Sequence, residues 1–154
     1  MRLQKATRFA LYAALELASR REGYVSASEV AAKYGISLNH LAKVLRTLGR
    51  SGLIQASRGV GGGYRFVGNA KRTTLLEIVQ LFEKVDPIAA GERQPGDATD
   101  AGLTLKSVLE EIEDTARATL SSVSLDTMIK MTRRHAERRA AKGTDQRQPA
   151  TLVP

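Results

Sequence analysis

Not one of the 154 residues is a cysteine, which removes disulfides, thiolate zinc sites, cysteine-ligated iron–sulfur clusters and thiol redox chemistry. No uninterrupted apolar run reaches membrane-spanning length, and the opening MRLQKATRFALYAALELASRR is too interrupted by charge to be a signal peptide. These absences predict a soluble, cytoplasmic chain with no membrane partner. Catalytic sets are missing as well. His40 and His135 are the two histidines, and no serine–histidine–acid set, metal-ligand spacing or phosphate loop accompanies them. The expectation is that the chain is not an enzyme and carries no metal or other cofactor. At 154 residues it holds one domain with a real core, or a small domain plus an interaction element.

Positive charge is abundant and unevenly placed. Within a net charge of +8, residues 1–72 carry 13 Lys and Arg against 3 Asp and Glu, residues 73–131 carry 5 against 11, and the remainder carries 6 against 2. Such asymmetry points to a polyanion-facing N-terminal module joined to a part that does not face a polyanion. A merely solvated basic face is the plainer alternative.

Along the chain, Ala6, Phe9, Ala10, Ala13 and Leu17 recur at helical spacing between Lys5 and Arg20. Ser26 and Glu29 stand in the relation of a capping box and open a second, short helix that Gly35 interrupts. Ser37 can cap a third helix through LNHLAKVLRTLGRSG. Two short helices joined by a glycine turn, with Val30, Ala31, Ile36, Leu41 and Val44 inward, make a helix–turn–helix pattern. By itself that pattern also fits many helical hairpins.

The stretch SRGVGGGYRF, residues 57–66, decides between them. Gly59, Gly61, Gly62 and Gly63 match neither dinucleotide-loop nor P-loop offsets, and strand-like residues rather than a helix follow. With GLIQAS before and YRFV after, the local reading is a β-hairpin whose glycines supply positive φ at its tip. A helix, a helix–turn–helix and then a basic glycine-tipped hairpin is the order of a winged helix, with Arg58 and Arg65 set to meet DNA phosphate or the minor groove.

Beyond the wing, Leu75, Ile78, Val79 and Phe82 predict another helix opened by Thr73 or Thr74. Residues 86–102 hold Pro87, Pro95, Gly91, Gly96 and Gly102 without periodicity and read as a loop. From Leu103 to Ser121, apolar Leu105, Val108, Leu109, Ile112, Ala116 and Leu120 form a stripe that a chain this small has little else to cover. A partner helix from a second copy is the expected cover. Ser124 can cap a last helix, and residues 143–154 read as a disordered tail.

The opening MRL, FALYAALELA, ISLNHLAKVLRTLGRSGLI and above all SRGVGGGYRF resemble the bacterial Rrf-two (Rrf2) family of regulators, over roughly residues 1–129. The resemblance implies a homodimeric winged-helix transcription factor, mainly α with a small β-hairpin. Residues 1–85 would form the DNA-binding domain, 86–102 a loop that senses in relatives, and 103–142 the dimerisation and C-terminal helices. It implies that Asn39, His40, Lys43 and Arg58 look toward double-stranded DNA. The full candidate set adds Ser37, Gly59, Gly61, Gly62, Tyr64 and Arg65. Cluster-binding members place three cysteines before the long helix. The matching stretch here, about residues 90–105, has none, and Arg8 stands where some relatives lend an acidic ligand. Sensing by cluster or thiol is therefore not expected, and the loop leaves room for a small-molecule or protein effector.

Several residues have a plainer reading beside the functional one. Tyr64 can stack on or bond a phosphate, or pack under the wing. Arg46 is taken as a solvated helix position, and RRHAERRAAK, residues 133–142, as a solvated helix end favourable to the helix dipole. The leading function is sequence-specific DNA binding, most simply repression. The alternative is a protein-interaction module of the same fold that docks its acidic helix on a partner enzyme.

Overall fold

The computed structural model describes residues 2–20, 22–83 and 95–145. Its elements are α1 (Lys5–Ser19), α2 (Ala27–Tyr34), α3 (Leu38–Arg50), β1 (Ile54–Ser57), β2 (Gly63–Phe66), α4 (Leu75–Gln80), α5 (Asp100–Ser122) and α6 (Leu125–Asp145). The fold is mainly helical with a two-stranded antiparallel hairpin, β1 pairing β2 from Ile54 opposite Phe66 to Ser57 opposite Gly63.

Helix starts follow side-chain capping. The oxygens of Ser26, Ser37, Thr74 and Thr99 each accept the backbone N–H three residues on, from Glu29, His40, Glu77 and Gly102. Gly35 closes α2 at φ +63°, its N–H bonding the Ala31 carbonyl. The box expected at Ser26 forms only in half, because the Glu29 carboxylate is drawn away to Arg20 at 2.7 Å. The complete box lies at Thr74 and Glu77.

α1 is the hub, packing on α3, α4, α6 and β2. Ala10, Ala13 and Ala14 are fully buried, so their small side chains let neighbouring helices approach closely, and Leu17 fills the core beside Leu41, Leu45 and Leu48 of α3. Ala6, expected on this face, is exposed, and Thr7 is buried instead. The Thr7 hydroxyl donates to Glu83 Oε1, which also accepts the Gln4 N–H at 2.7 Å. A long-range carboxylate thus makes a polar side chain the better inward residue.

Three boundaries differ from the sequence expectation. The helix after the wing stops at Gln80, and Leu81 and Phe82 turn out of it with tight bonds to the Ile78 and Val79 carbonyls. α5 begins at Asp100 rather than Leu103, because Thr99 caps it. Gly102, read as loop, lies in its first turn, where a Cβ would stand 2.1 Å from the Gly96 carbonyl oxygen. α6 continues to Asp145. Most of the expected 86–102 loop and the expected tail from residue 146 lie outside the described residues.

α4 and α6 are laced at their starts, Leu75 N–H to the Val123 carbonyl and Leu125 N–H to the Thr73 carbonyl, both at 2.9 Å. α1 and α2 are joined by Glu16, whose side chain is only 4% exposed and binds Lys33, Arg20 and the Tyr34 hydroxyl. Burial alone would raise the Glu16 carboxyl, but the bonds from Lys33, Tyr34 and Arg20 outweigh it and hold it below its usual range. Its stabilising contribution is therefore complete above the unfolded carboxylate pKa and is lost as pH falls through the depressed folded value. The Tyr34 phenol, which stacks on Tyr12, is pushed up to about 12 by burial and by Glu16, so its share fades as pH rises past 10.0 toward that value. Glu16→Gln is expected to cost on the order of 1–2 kcal/mol at neutral pH. Urea unfolding across a pH series checks this: the gap to wild type should narrow steadily in acid.

Candidate nucleic-acid interface

The polar face of α3 and the wing carry the candidate contacts. On α3, Leu41, Val44, Leu45 and Leu48 turn into the core. Helical geometry therefore leaves Asn39, Lys43, Arg46 and Arg50 on the outer side, with His40 beside them at the first turn, and all are exposed. Ser37 holds that turn: its Oγ accepts the His40 N–H at 3.3 Å and lies 2.9 Å from His40 Nδ1.

The wing is built by glycines with separate tasks. Gly59 and Gly61 sit at φ +90° and +75° and turn the tip. Gly62 passes so close to the chain that a Cβ would lie 2.4 Å from the Ser57 carbonyl oxygen. Gly63, at φ +142°, lies against the α1–α2 connection, where a Cβ would meet the Val25 carbonyl oxygen at 2.5 Å. Beside it, Val25 and Tyr64 exchange two backbone hydrogen bonds of 2.8 Å, which tie the hairpin to the helical body.

The two wing arginines differ. Arg65 donates through Nε and Nη2 to Gln55 Oε1 at 3.1 and 2.8 Å, and its guanidinium lies 5.2 Å from the Tyr24 ring centre. Arg58 makes no hydrogen bond or ion pair with the described residues and stands free at the start of the tip. Tyr64 is half-buried and packs against the core, so its ring supports the wing. Sequence reasoning overlooked Val60, which is 110% exposed at the tip between the two turning glycines. It also overlooked Gln55 and Tyr24 as the seat of Arg65. Val60 had a readable signal, an apolar residue enclosed by turn glycines.

Positive charge predominates on α3 and the wing. Of the three carboxylates in residues 1–72, Glu16 and Glu29 are taken by Arg20 and Lys33, and Glu22 lies exposed in the α1–α2 connection. Lys43, Arg46, Arg50 and Arg58 have no carboxylate partner among the described residues. Away from it, α5 buries none of its residues, and Leu105, Val108, Leu109 and Ile112 are exposed, with Ala116 and Leu120 half-buried.

A helix–turn–helix followed directly by an antiparallel hairpin docked on its body defines a winged-helix DNA-binding protein. The chain belongs to the Rrf2 family: the family model, described as an iron-dependent transcriptional regulator, matches residues 3–131. It is 48% identical to a Rhodopseudomonas palustris protein provisionally named the HTH-type transcriptional regulator BadM, over 96% of this chain and 94% of that one. It is 30% identical to the HTH-type transcriptional regulator IscR of Photorhabdus laumondii, over 84% and 79%. Two solved structures share the fold at 22% identity. CymR of B. subtilis, titled a global cysteine regulator, has a TM-score of 0.72 over 85% of this chain and 98% of that one. IscR of T. potens has 0.69 over 86% and 88%. The protein is thus a transcriptional regulator, not an enzyme. No helix among the described residues is long and apolar enough to cross a membrane.

Iron held through thiolates does not fit this chain. There is no thiolate to bridge or bind a cluster iron. Among the described residues no group of three His, Cys, Asp or Glu side chains could hold a metal ion.

Proposed function

We infer that the protein is a cytoplasmic, homodimeric repressor that reads an inverted-repeat operator with α3 and the wing, without an iron–sulfur cluster. One observation carries the reading: Lys43, Arg46 and Arg50 on the outer side of α3 and Arg58 at the wing tip have no carboxylate partner among the described residues, while Glu16 and Glu29 are held by Arg20 and Lys33. Positive charge of this kind binds phosphate and releases counterions. On this reading Asn39, His40 and Lys43 meet base edges, and Arg58, Arg65, Gly59, Gly61 and Gly62 meet backbone or minor groove, with Ser37 holding the helix start and Tyr64 the wing. The bare stripe of α5 supplies the two-fold contact. Residues 1–85 are the reading domain and residues 103–142 the dimerisation helices.

Selection of fragments from a random duplex pool by the purified protein tests this. One symmetric motif is expected, its half-sites centred about one helical turn or a multiple apart, from protein that is colourless with background iron and sulfide. The exposed α5 stripe also suits a protein-docking module. No enriched motif, together with stoichiometric capture of a partner enzyme, would favour that reading instead.

A further inference from the structure

We propose that Ser37 fixes the tautomer of His40, so that the ring enters the major groove as a hydrogen-bond donor through Nε2–H and demands an acceptor on the base it meets. This rests on the DNA-reading function inferred above and names what one of its residues reads.

The argument starts from the capacity of one hydroxyl. Ser37 Oγ has a single proton to give and two lone pairs to share. One lone pair is engaged by the backbone N–H of His40 at 3.3 Å, the bond that caps α3. A hydroxyl that already accepts is polarised: its O–H becomes a better donor and its remaining lone pair a poorer acceptor. At 2.9 Å the Nδ1 atom of His40 is the nearby partner for that proton. Ser37 O–H therefore donates to an Nδ1 lone pair, and the neutral ring carries its own proton on Nε2.

Geometry then aims the donor. With Nδ1 turned back to the cap, Nε2 lies on the far side of the ring, and His40 is exposed at the first turn of α3. In the recognition geometry of a helix–turn–helix, that turn is the part that approaches base edges. In the major groove a donor is satisfied by purine N7, guanine O6 or thymine O4. Cytosine presents only its N4 amino donor, so two donors would face each other there. Ser37 is thus a positioning residue, and its effect on DNA choice passes through His40.

Two measurements test this separately from the inferred function. In the free protein at a pH above the ordinary imidazole range, long-range 15N NMR should find His40 Nε2 protonated and Nδ1 bare. The reverse tautomer would overturn the proposal and leave DNA reading untouched. In titrations of duplexes carrying each base at the position that His40→Ala relaxes, wild type should reject cytosine by roughly 5- to 150-fold. Ser37→Thr should keep that rejection, and Ser37→Ala should lose it at that position alone. A Ser37→Ala protein that weakens equally at every position would mean that Ser37 only caps the helix, and the proposal fails. If wild type prefers no duplex over a scrambled one, the inferred function falls and the proposal with it, whatever tautomer the spectrum gives.

Discussion

Ile112→Asp is expected to turn the protein into a monomer and to weaken operator binding on the order of 100-fold or more, the factor gained when two linked half-sites bind together. Ile112 is 58% exposed in the protomer and lies with Leu105, Val108 and Leu109 on a helix that buries nothing. An aspartate there meets water in the free chain, so the protomer should still fold and unfold cooperatively. In a helix–helix interface the same carboxylate would be stripped of water without a partner, which costs several kcal/mol. Asp114→Asn, on the opposite side of α5, should leave assembly unchanged. Light scattering at micromolar concentration reads the outcome, and a monomeric wild type would contradict this use of the stripe.

Gly63→Val is expected to be the most damaging change in the wing. Its φ of +142° is a region that a β-branched residue avoids, and a Cβ would stand 2.5 Å from the Val25 carbonyl oxygen and 2.7 Å from its carbon. Backbone strain alone costs about 1–3 kcal/mol, and relief of the overlap requires the hairpin to leave Val25, with loss of the paired bonds to Tyr64. A fall in Tm of about 10 °C follows for a chain of this size at roughly 3 °C per kcal/mol. Operator binding should suffer too, because the hairpin that carries Arg58 would no longer be tied to Val25. Gly49→Ala makes the contrast: this glycine lies inside α3 with nothing within 4 Å of a Cβ. It should gain about 0.5–1 kcal/mol. Thermal unfolding of the two variants beside wild type checks both signs.

Much of this was legible because it is local. Ser26, Ser37 and Thr74 cap the helices that their sequence positions foretell, and Gly35 makes the turn between α2 and α3. The inward residues Val30, Ala31, Ile36, Leu41 and Val44 follow from periodicity alone, and each is buried. The misreadings share a cause in contacts distant along the chain. Thr7 displaced Ala6 from the core because Glu83 satisfies its hydroxyl. Glu29 left its box because Arg20 lies within reach. Gly62 and Gly63 looked like turn residues, yet they are needed for close approach to Ser57 and Val25. Within the candidate interface, the type of each residue was readable. That Arg65 is seated on Gln55 and Tyr24 while Arg58 is free was not, since it depends on cross-strand neighbours.

The central claim is that the wing grips the backbone while α3 reads bases. A salt series of titrations tests it most directly, with wild type, Arg58→Ala, Asn39→Ala and His40→Ala each measured against the selected operator and a scrambled duplex. Arg58→Ala should weaken binding to both and flatten the salt dependence by about one unit of slope. Asn39→Ala and His40→Ala should lose roughly 1–3 kcal/mol on the operator for each good base contact and change little on the scrambled duplex. Equal losses on both duplexes for both α3 variants would contradict the account and move the reading surface elsewhere.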